Sequence, residues 1–307
     1  LPCRCRRQTA AREWRVAMTE SGSGDAEKGV PGGIPVLMYH GVGPDRPGWI
    51  WNQLLTPLDV FEAQMKALAG EGWNTISLEQ LHAHVSRKAP VPEKPLVITF
   101  DDGYLDNYTF AWPVLKKYGL RAVIWMTTDF IDPSLDPRPV LEASGACSEG
   151  PGGVPASGFL SMAEMRLMED SGHIEIQSHA KTHTWHYSGP RIIDYHRPAG
   201  VDGYEPPPWL AWNMFPESKF EYMTKGREDE VPYGTPIYEH GKALTARRYF
   251  EDPEVTSRLV RYVRENGAAD FFAREDWRGE LDTVARGVPR SGDRMETEEE
   301  YRRRALH

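Results

Sequence analysis

The chain has 307 residues, of which 40% are hydrophobic and 26% charged, a composition typical of a soluble globular protein rather than a disordered or membrane-embedded one. The formal net charge of −9 argues against a nucleic-acid partner, because proteins that bind phosphate backbones carry clustered Lys and Arg. Only three cysteines are present, so a disulfide framework is excluded. The length favours one large domain with insertions.

Residues 1–30 contain scattered Arg and no apolar run long enough for a signal peptide or a spanning helix. We therefore expect a disordered leader, a cytoplasmic protein and no membrane partner. Cys3 and Cys5 form a Cys-x-Cys without a second pair of ligands, so they are interpreted as part of the leader rather than as a metal site. Met18 is a possible alternative start of the biological chain.

From Ile34 onward, short apolar runs alternate with helical patterns, which predicts an α/β fold with a parallel sheet or barrel. Strands are expected at 34–39 (buried), 74–76, 96–100 (central), 121–126 and 174–177. Helices are expected from a Thr56-Pro57 cap to about Gly70, from a Ser77 cap to about Val85, over Asn107–Tyr118 and from a Ser161 cap to Asp170. This order implies right-handed parallel crossovers.

The later part of the chain changes character. A loop rich in Pro, Gly and Ser covers residues 132–158, and its length indicates a lid or a mobile insertion. Residues 185–238 contain 11 aromatic residues and eight Pro, so neither a regular helix nor a central strand is expected there. Helical patterns return at 253–266, 273–285 and 297–307.

These patterns predict four segments. A disordered leader covers residues 1–30, and an α/β core that carries the chemistry covers 31–184. An aromatic and Pro-rich insertion or cap covers 185–250, and a helical C-terminal segment covers 251–307. The sequence does not predict an oligomeric state.

Two adjacent carboxylates, Asp101 and Asp102, follow the predicted central strand in Thr99-Phe100-Asp101-Asp102-Gly103. Sites in α/β sheets and barrels form at this end of the strands. Neighbours on an extended segment point to opposite sides, so one carboxylate can bind a metal while the other acts as a base. The alternative is an ordinary turn with a cap.

A second polar motif, His179-Ala180-Lys181-Thr182-His183, follows the predicted strand at 174–177. In a helical turn, His179 and His183 would lie on one face and could chelate one ion, although such a pair can also be incidental. Two imidazoles and one carboxylate leave coordination positions open, as in a catalytic metal site. Because both motifs lie at strand ends, together they favour a site with Asp102, His179 and His183 as ligands.

The sequences LMYHGV, TFDDGYLDN and SHxxTH, in this order, resemble the polysaccharide deacetylase (NodB homology) family, carbohydrate esterase family four, over about residues 34–183. The resemblance implies a distorted (β/α) barrel that binds one divalent ion, zinc or a related metal. It implies Asp101 as the base and Asp102, His179 and His183 as the metal ligands. The expected reaction is attack of an activated water on an acetamide, which releases acetate and an amine.

The chain departs from the family pattern in ways that leave the proton donor unassigned. Ala180 stands where the family has Ser or Thr, and no Arg-x-Pro or Leu-x-His motif follows. The missing segments could lie beyond a truncated terminus. Alternatively, a local group serves as the acid, with His40 the first candidate and His186 or His196 the next.

The expected substrate is a small N-acetylated glycoside. The aromatic insertion is either a second small core or a stacking platform, and the residues expected to contact substrate are Tyr104, Trp185, Tyr187, Trp209 and Trp212. Within the family, the pattern most resembles deacetylases of glycopeptide antibiotic biosynthesis, which act on the N-acetylglucosaminyl group of a teicoplanin-type pseudoaglycone. The alternatives are a metal amidohydrolase acting on another small amide and a noncatalytic sugar- or glycopeptide-binding protein.

Overall fold

A computed structural model describes residues 33–46, 49, 51–141 and 153–306. The chain divides into two compact units. The first contains the described residues up to Met126 together with Ile131–His179, and the second contains Thr127–Phe130 and the chain from Ala180 onward. The expected leader, with Cys3, Cys5 and Met18, lies outside the described residues, as does Cys147.

A parallel five-stranded sheet forms the centre of the first unit. Strand β5 (Pro95–Asp102) pairs with β1 (Val36–Tyr39), with β4 (Asn74–Thr75) and with β6 (Ala122–Met126), and β6 pairs with β7 (Ile174–Ser178). The mixed α/β fold with a parallel central sheet is therefore confirmed. The path of described strands runs from β1 to β7 as an open sheet, so the barrel is not confirmed.

Helices of the first unit follow the strands. They are α1 (Leu58–Gly70), α2 (Leu78–Arg87), α3 (Trp112–Tyr118) and α4 (Met162–Asp170). A π-helical turn over Asn107–Ala111 leads into α3, which ends at left-handed Gly119. A short parallel pair, β2 (Gly41–Val42) and β3 (Leu55–Thr56), also belongs to this unit.

Local capping follows the sequence expectation at two helices and departs from it at a third. Ser77 and Ser161 each form a capping box, in which the side chain accepts from the third helical residue and that residue's side chain accepts from the cap backbone. Thr56 does not cap α1, because it belongs to β3 and Pro57 is the N-cap residue.

The expectation that strand 34–39 is buried was wrong. Val36 and Met38 are 52% and 63% exposed, whereas seven of the eight residues of β5 are buried. The difference in burial follows from the positions of the two strands in the sheet. Strand β1 pairs with β5 alone and lies at the edge of the described sheet, while β5 has strands on both sides.

The second unit contains an antiparallel ribbon of β8 (Trp185–Tyr195) and β9 (Pro236–Lys242) and a smaller pair, β10 (Tyr249–Phe250) and β11 (Arg294–Met295). Its helices are α5 (Pro208–Met214), α6 (Pro253–Glu265), α7 (Trp277–Arg286) and α8 (Glu298–Leu306). A core that includes Tyr195, Leu259 and Phe271 packs α6 and α7 together. Helix α7 begins four residues later than the expected start at Ala273.

The expectation that residues 185–238 contain no regular helix was wrong, since α5 lies there with Pro208 at its first position, where a missing N–H has no cost. The long β8 contains Pro190 and is compatible with it, because each strand of a two-stranded ribbon has an unpaired edge. Within the described ranges, no helix combines the length and apolar character that a membrane span requires.

Candidate metal and catalytic site

The two carboxylates of the first motif lie at the end of the central strand. Asp101 is half-buried and Asp102 is 5% exposed, with a left-handed backbone at Asp102 (φ 73°) and at Gly103 (φ 78°). A Cβ at Gly103 would lie 2.0 Å from the sulfur of Met126, so a larger residue would force the Met126 side chain to move in addition to straining the left-handed backbone. Gly103 therefore allows the chain to turn tightly over β6 directly after Asp102.

His179 is brought to Asp102 by strand register. Residues Asp102, Met126 and Ser178 are aligned across β5, β6 and β7, and the amide of His179 donates to the carbonyl of Met126 at 2.9 Å. His179 Nε2 consequently lies 3.5 Å from Asp102 Oδ1. Two ligands of one tetrahedral ion, each about 2.1 Å from it, are separated by about 3.4 Å. The pair therefore fits a shared ion.

His183 completes the cluster, since ligand atoms of Asp102, His179 and His183 all lie within 4.8 Å of one another. The expected helical turn is absent from this described segment, because no regular structure separates Ser178 from Trp185. Ala180 (φ 63°) and His183 (φ 41°) adopt left-handed conformations instead. These backbone reversals, rather than one helical face, place the second imidazole.

The donor set is suited to a divalent metal. Two imidazole nitrogens and one carboxylate oxygen match the preferences of zinc and related ions, and three protein ligands leave room for water or substrate. Asp102 is buried and both histidines are half-buried, so the ligand cluster is partly accessible to solvent. The geometry supports a catalytic type of site and does not identify the metal.

The end of the first motif, Asp106-Asn107, holds the loop that carries His40. Asn107 Nδ2 donates to the carbonyl of His40 at 2.8 Å and to Asp106 Oδ1 at 3.0 Å. Asp106 also forms an ion pair with Arg46, which donates to the carbonyl of Ala156 at 2.7 Å. Complete burial raises the pKa of Asp106 to about 6 despite this guanidinium. The sequence analysis did not predict that Asp106 and Asn107 support the His40 loop. The only indication in the sequence was an acidic residue followed by an amide residue at the end of the TFDDGYLDN motif.

The expected substrate residues are more buried than a stacking platform requires. Tyr104 is 4% exposed and stacks on Phe159, while Trp209 and Trp212 are 5% and 8% exposed. Trp212 packs edge-on against Phe130 and Tyr222. Their placement agrees with the second-core alternative.

Trp185 and Tyr187 are half-buried on β8, so both residues keep some exposure to solvent. The hydroxyl of Tyr187 donates to the carbonyl of Pro236 at 2.8 Å. Contact of any of these five residues with substrate stays a prediction.

Two of the alternative proton donors are neutral core histidines. His186 and His196 are 7% and 1% exposed, and burial lowers the pKa of each to about 4. His196 Nδ1 lies 2.9 Å from the hydroxyl of Tyr204, and its ring stacks on Tyr233. A neutral imidazole is a poor general acid near neutral pH, which leaves His40 as the remaining candidate named from the sequence.

The family model described as "Polysaccharide deacetylase" matches residues 88–196 of the chain. This segment includes Asp101, Asp102, His179 and His183, together with the strands that position them. The comparisons support the polysaccharide deacetylase family. The LMYHGV motif lies before the matched segment.

Two curated relatives cover similar parts of the chain. YxkH of Bacillus subtilis (strain 168), provisionally named a polysaccharide deacetylase, is 42% identical over 96 residues, which are 31% of this chain and 32% of that protein. The poly-β-1,6-N-acetyl-D-glucosamine N-deacetylase of Escherichia coli (strain K12) is 31% identical over 127 residues, covering 40% of this chain and 17% of that protein. The chain therefore spans a third or less of these relatives.

A de-N-acetylase from Aggregatibacter actinomycetemcomitans is one of the similar solved structures. It is 26% identical with a TM-score of 0.39, over 51% of this chain and 58% of that one. This overlap is partial.

Proposed function

We propose that the protein is a metal-dependent N-deacetylase that removes acetate from an N-acetylglucosaminyl group. The observation that carries the proposal is the convergence of Asp102, at the end of β5, with His179 and His183, in the segment after β7, inside the part of the chain that matches deacetylases. An incidental Asp-Asp-Gly turn would not account for the two histidines beside it.

The roles of the residues follow from their positions. Asp102, His179 and His183 would hold the divalent ion, which supplies an acidified water and positive charge opposite a developing oxyanion. Asp101, on the adjacent position of β5, accepts the proton of the attacking water. The new C–O bond replaces the amide C–N bond, and the departing nitrogen takes up a proton to leave as an amine. We assign that proton delivery to His40.

Zinc is the proposed metal, because two imidazoles and a carboxylate form a ligand set typical of catalytic zinc. The substrate class is supported by the Escherichia coli relative, whose name specifies an N-acetylglucosamine polymer. A narrower proposal, from the sequence resemblance alone, is a teicoplanin-type glycopeptide pseudoaglycone. A cytoplasmic location is proposed together with this small-molecule substrate.

Metal analysis and acetate release test the proposal together. Protein purified without chelator is expected to contain one divalent ion per chain, and His179→Ala to lose it. Asp101→Asn is expected to keep the ion while turnover falls about 10²-fold or more, because it removes the base without removing a ligand. His82→Ala and Asp170→Asn, which alter exposed residues of α2 and α4, serve as matched controls.

Substrate is assigned by mass spectrometry. N-acetylglucosamine oligomers and glycopeptide pseudoaglycones are incubated separately, and loss of one acetyl group is measured in each. Turnover of the pseudoaglycone alone supports the narrower proposal, whereas turnover of the oligomers alone refutes it. Wild-type protein without a stoichiometric ion, with Asp101→Asn turning over normally, would refute the enzymatic proposal itself.

A further inference from the structure

The described loop between His179 and His183 contains no helix or strand, so regular secondary structure does not fix its backbone conformation. Ala180 and His183 are both left-handed non-glycine residues, at φ 63° and 41°. L-residues with a Cβ rarely adopt this region, and they remain there only when surrounding contacts hold them. The contacts that restrain this loop therefore determine where the imidazole of His183 lies.

Three successive carbonyls of the loop are each held by a hydrogen bond. The amide of Thr128 donates to Ala180 O at 3.3 Å, and the amide of Asp129 donates to Lys181 O at 3.0 Å. The third bond comes from a side chain distant in sequence, since Lys219 Nζ donates to Thr182 O at 3.1 Å. Thr182 directly precedes His183, so this last bond acts next to the ligand.

The ammonium group of Lys219 is buried and paired. Its side chain is 3% exposed, and Nζ lies 2.9 Å from Asp129 Oδ2. Burying a lysine charge is costly unless a carboxylate and hydrogen-bond acceptors surround it. Asp129 supplies the carboxylate while its own amide binds the loop, so one residue links the ammonium and the loop backbone.

Phe130 adds packing to the same arrangement. It is 2% exposed and its ring centroid lies 6.4 Å from that of His183. The turn Thr128–Phe130 therefore contacts the loop through backbone bonds at one end and through an aromatic ring at the other.

We propose that the Asp129–Lys219 ion pair is a positioning device for the metal site, which locks the Ala180–Thr182 backbone and thereby orients His183 toward the ion. The inference rests on the proposed metal-dependent function. Neither Asp129 nor Lys219 belongs to the cluster of Asp102, His179 and His183, so their effect would pass through His183. Supporting groups of this kind typically change metal affinity by 10- to 100-fold when removed.

The test uses Lys219→Met, which removes the ammonium but keeps an unbranched chain of similar length. The affinity of the full chain for Zn²⁺ is measured by competition with a chromophoric chelator, and the visible spectrum is recorded with Co²⁺ as the probe. We expect affinity to fall by about tenfold or more and the Co²⁺ bands to change, because the position of one imidazole changes. Lys219→Arg, which retains a charged donor, is expected to recover part of the affinity.

Two further variants separate positioning from general stability. Lys225→Met alters an exposed lysine of the same unit and is expected to bind Zn²⁺ like the wild type. Asp129→Asn keeps the backbone amide but removes the charge, and it is expected to weaken Zn²⁺ binding in the same direction as Lys219→Met. It also replaces Lys219→Met as the test if that variant does not fold.

The outcomes distinguish this inference from the proposed function. If the wild type binds Zn²⁺ and releases acetate, but a folded Lys219→Met or Asp129→Asn protein retains wild-type affinity and Co²⁺ spectrum, the positioning role is refuted and the function stands. If the wild type binds neither ion, both proposals are refuted.

Discussion

Replacing Trp212 by alanine tests whether the aromatic region is a core or a stacking platform. Trp212 is 8% exposed, and its ring packs edge-on against Phe130 at 5.3 Å and Tyr222 at 5.0 Å. Truncation would remove these contacts and leave a cavity. We therefore expect Trp212→Ala to lower the free energy of unfolding rather than to act chiefly on substrate binding.

The magnitude follows from burial. A buried tryptophan removes about 150–250 Å² from water, which at about 25 cal/mol per Å² corresponds to roughly 4–6 kcal/mol, and measured Trp→Ala losses are about 3–5 kcal/mol. The buried Nε1 of Trp212 has no hydrogen-bond partner among the described residues, and losing this N–H returns about 1 kcal/mol. The expected loss is therefore near the lower end, about 3 kcal/mol.

Equilibrium urea unfolding followed by circular dichroism measures this loss, and the KM for an N-acetylated glycoside is measured in parallel. Trp212→Phe is the matched control, since it keeps an aromatic ring and drops the unpaired N–H, and it should lose about 1 kcal/mol or less. Trp185→Ala, at a half-buried position, should lose less than Trp212→Ala. The core interpretation is refuted if Trp212→Ala leaves the unfolding midpoint unchanged while KM rises about tenfold.

Three other predictions concern stability and the His40 loop. Burial lowers the pKa of His196 to about 4, below its value of about 6.5 in the unfolded chain. As the pH drops, the unfolded chain therefore takes up the proton before the folded chain does. We expect the free energy of unfolding to fall by up to about 3 kcal/mol between about pH 6.5 and pH 4. Urea unfolding at pH 7 and 4.5 should show a smaller loss for His196→Gln, and an identical loss would contradict this explanation. Ser161→Ala should cost about 1 kcal/mol by removing the cap that binds the Glu164 amide, and an unchanged melting temperature would argue against it. Asn107→Ala should cost about 1–3 kcal/mol and accelerate amide hydrogen exchange near His40, whereas unchanged exchange would show that this bond does not hold the loop.

Much of the first unit could be predicted because its signals are local. The capping boxes at Ser77 and Ser161 depend on residues three positions apart, and the β-branched run before Asp101 favours a strand by itself. Glycine after the two carboxylates indicated a turn, and the structure adds the reason that Met126 occupies the space of a Cβ. The alternation of strands and helices predicts parallel strands, and both polar motifs follow such strands, so they were expected at the same edge of the sheet.

Burial and packing partners were less accessible to sequence reasoning. The apolar run 34–39 looks like a core strand, yet whether a strand is central or at an edge depends on pairing with segments far away in the chain. A sequence rich in aromatic residues such as Trp209 and Trp212 is equally compatible with a buried core and with a surface on which substrate stacks. Only their neighbours in the folded chain separate the two interpretations.

The sequence by itself determined the order of strands and helices, the two polar motifs and the identity of the three metal-ligand candidates, since each depends on residue types within a few positions. The tertiary structure decided how the ligands meet, replacing the expected helical turn with left-handed residues at Ala180 and His183. It also paired Lys219 with Asp129 across 90 positions. The physical reason is that a strained loop takes its shape from the contacts that hold it, and here these come from groups that the sequence does not place beside it.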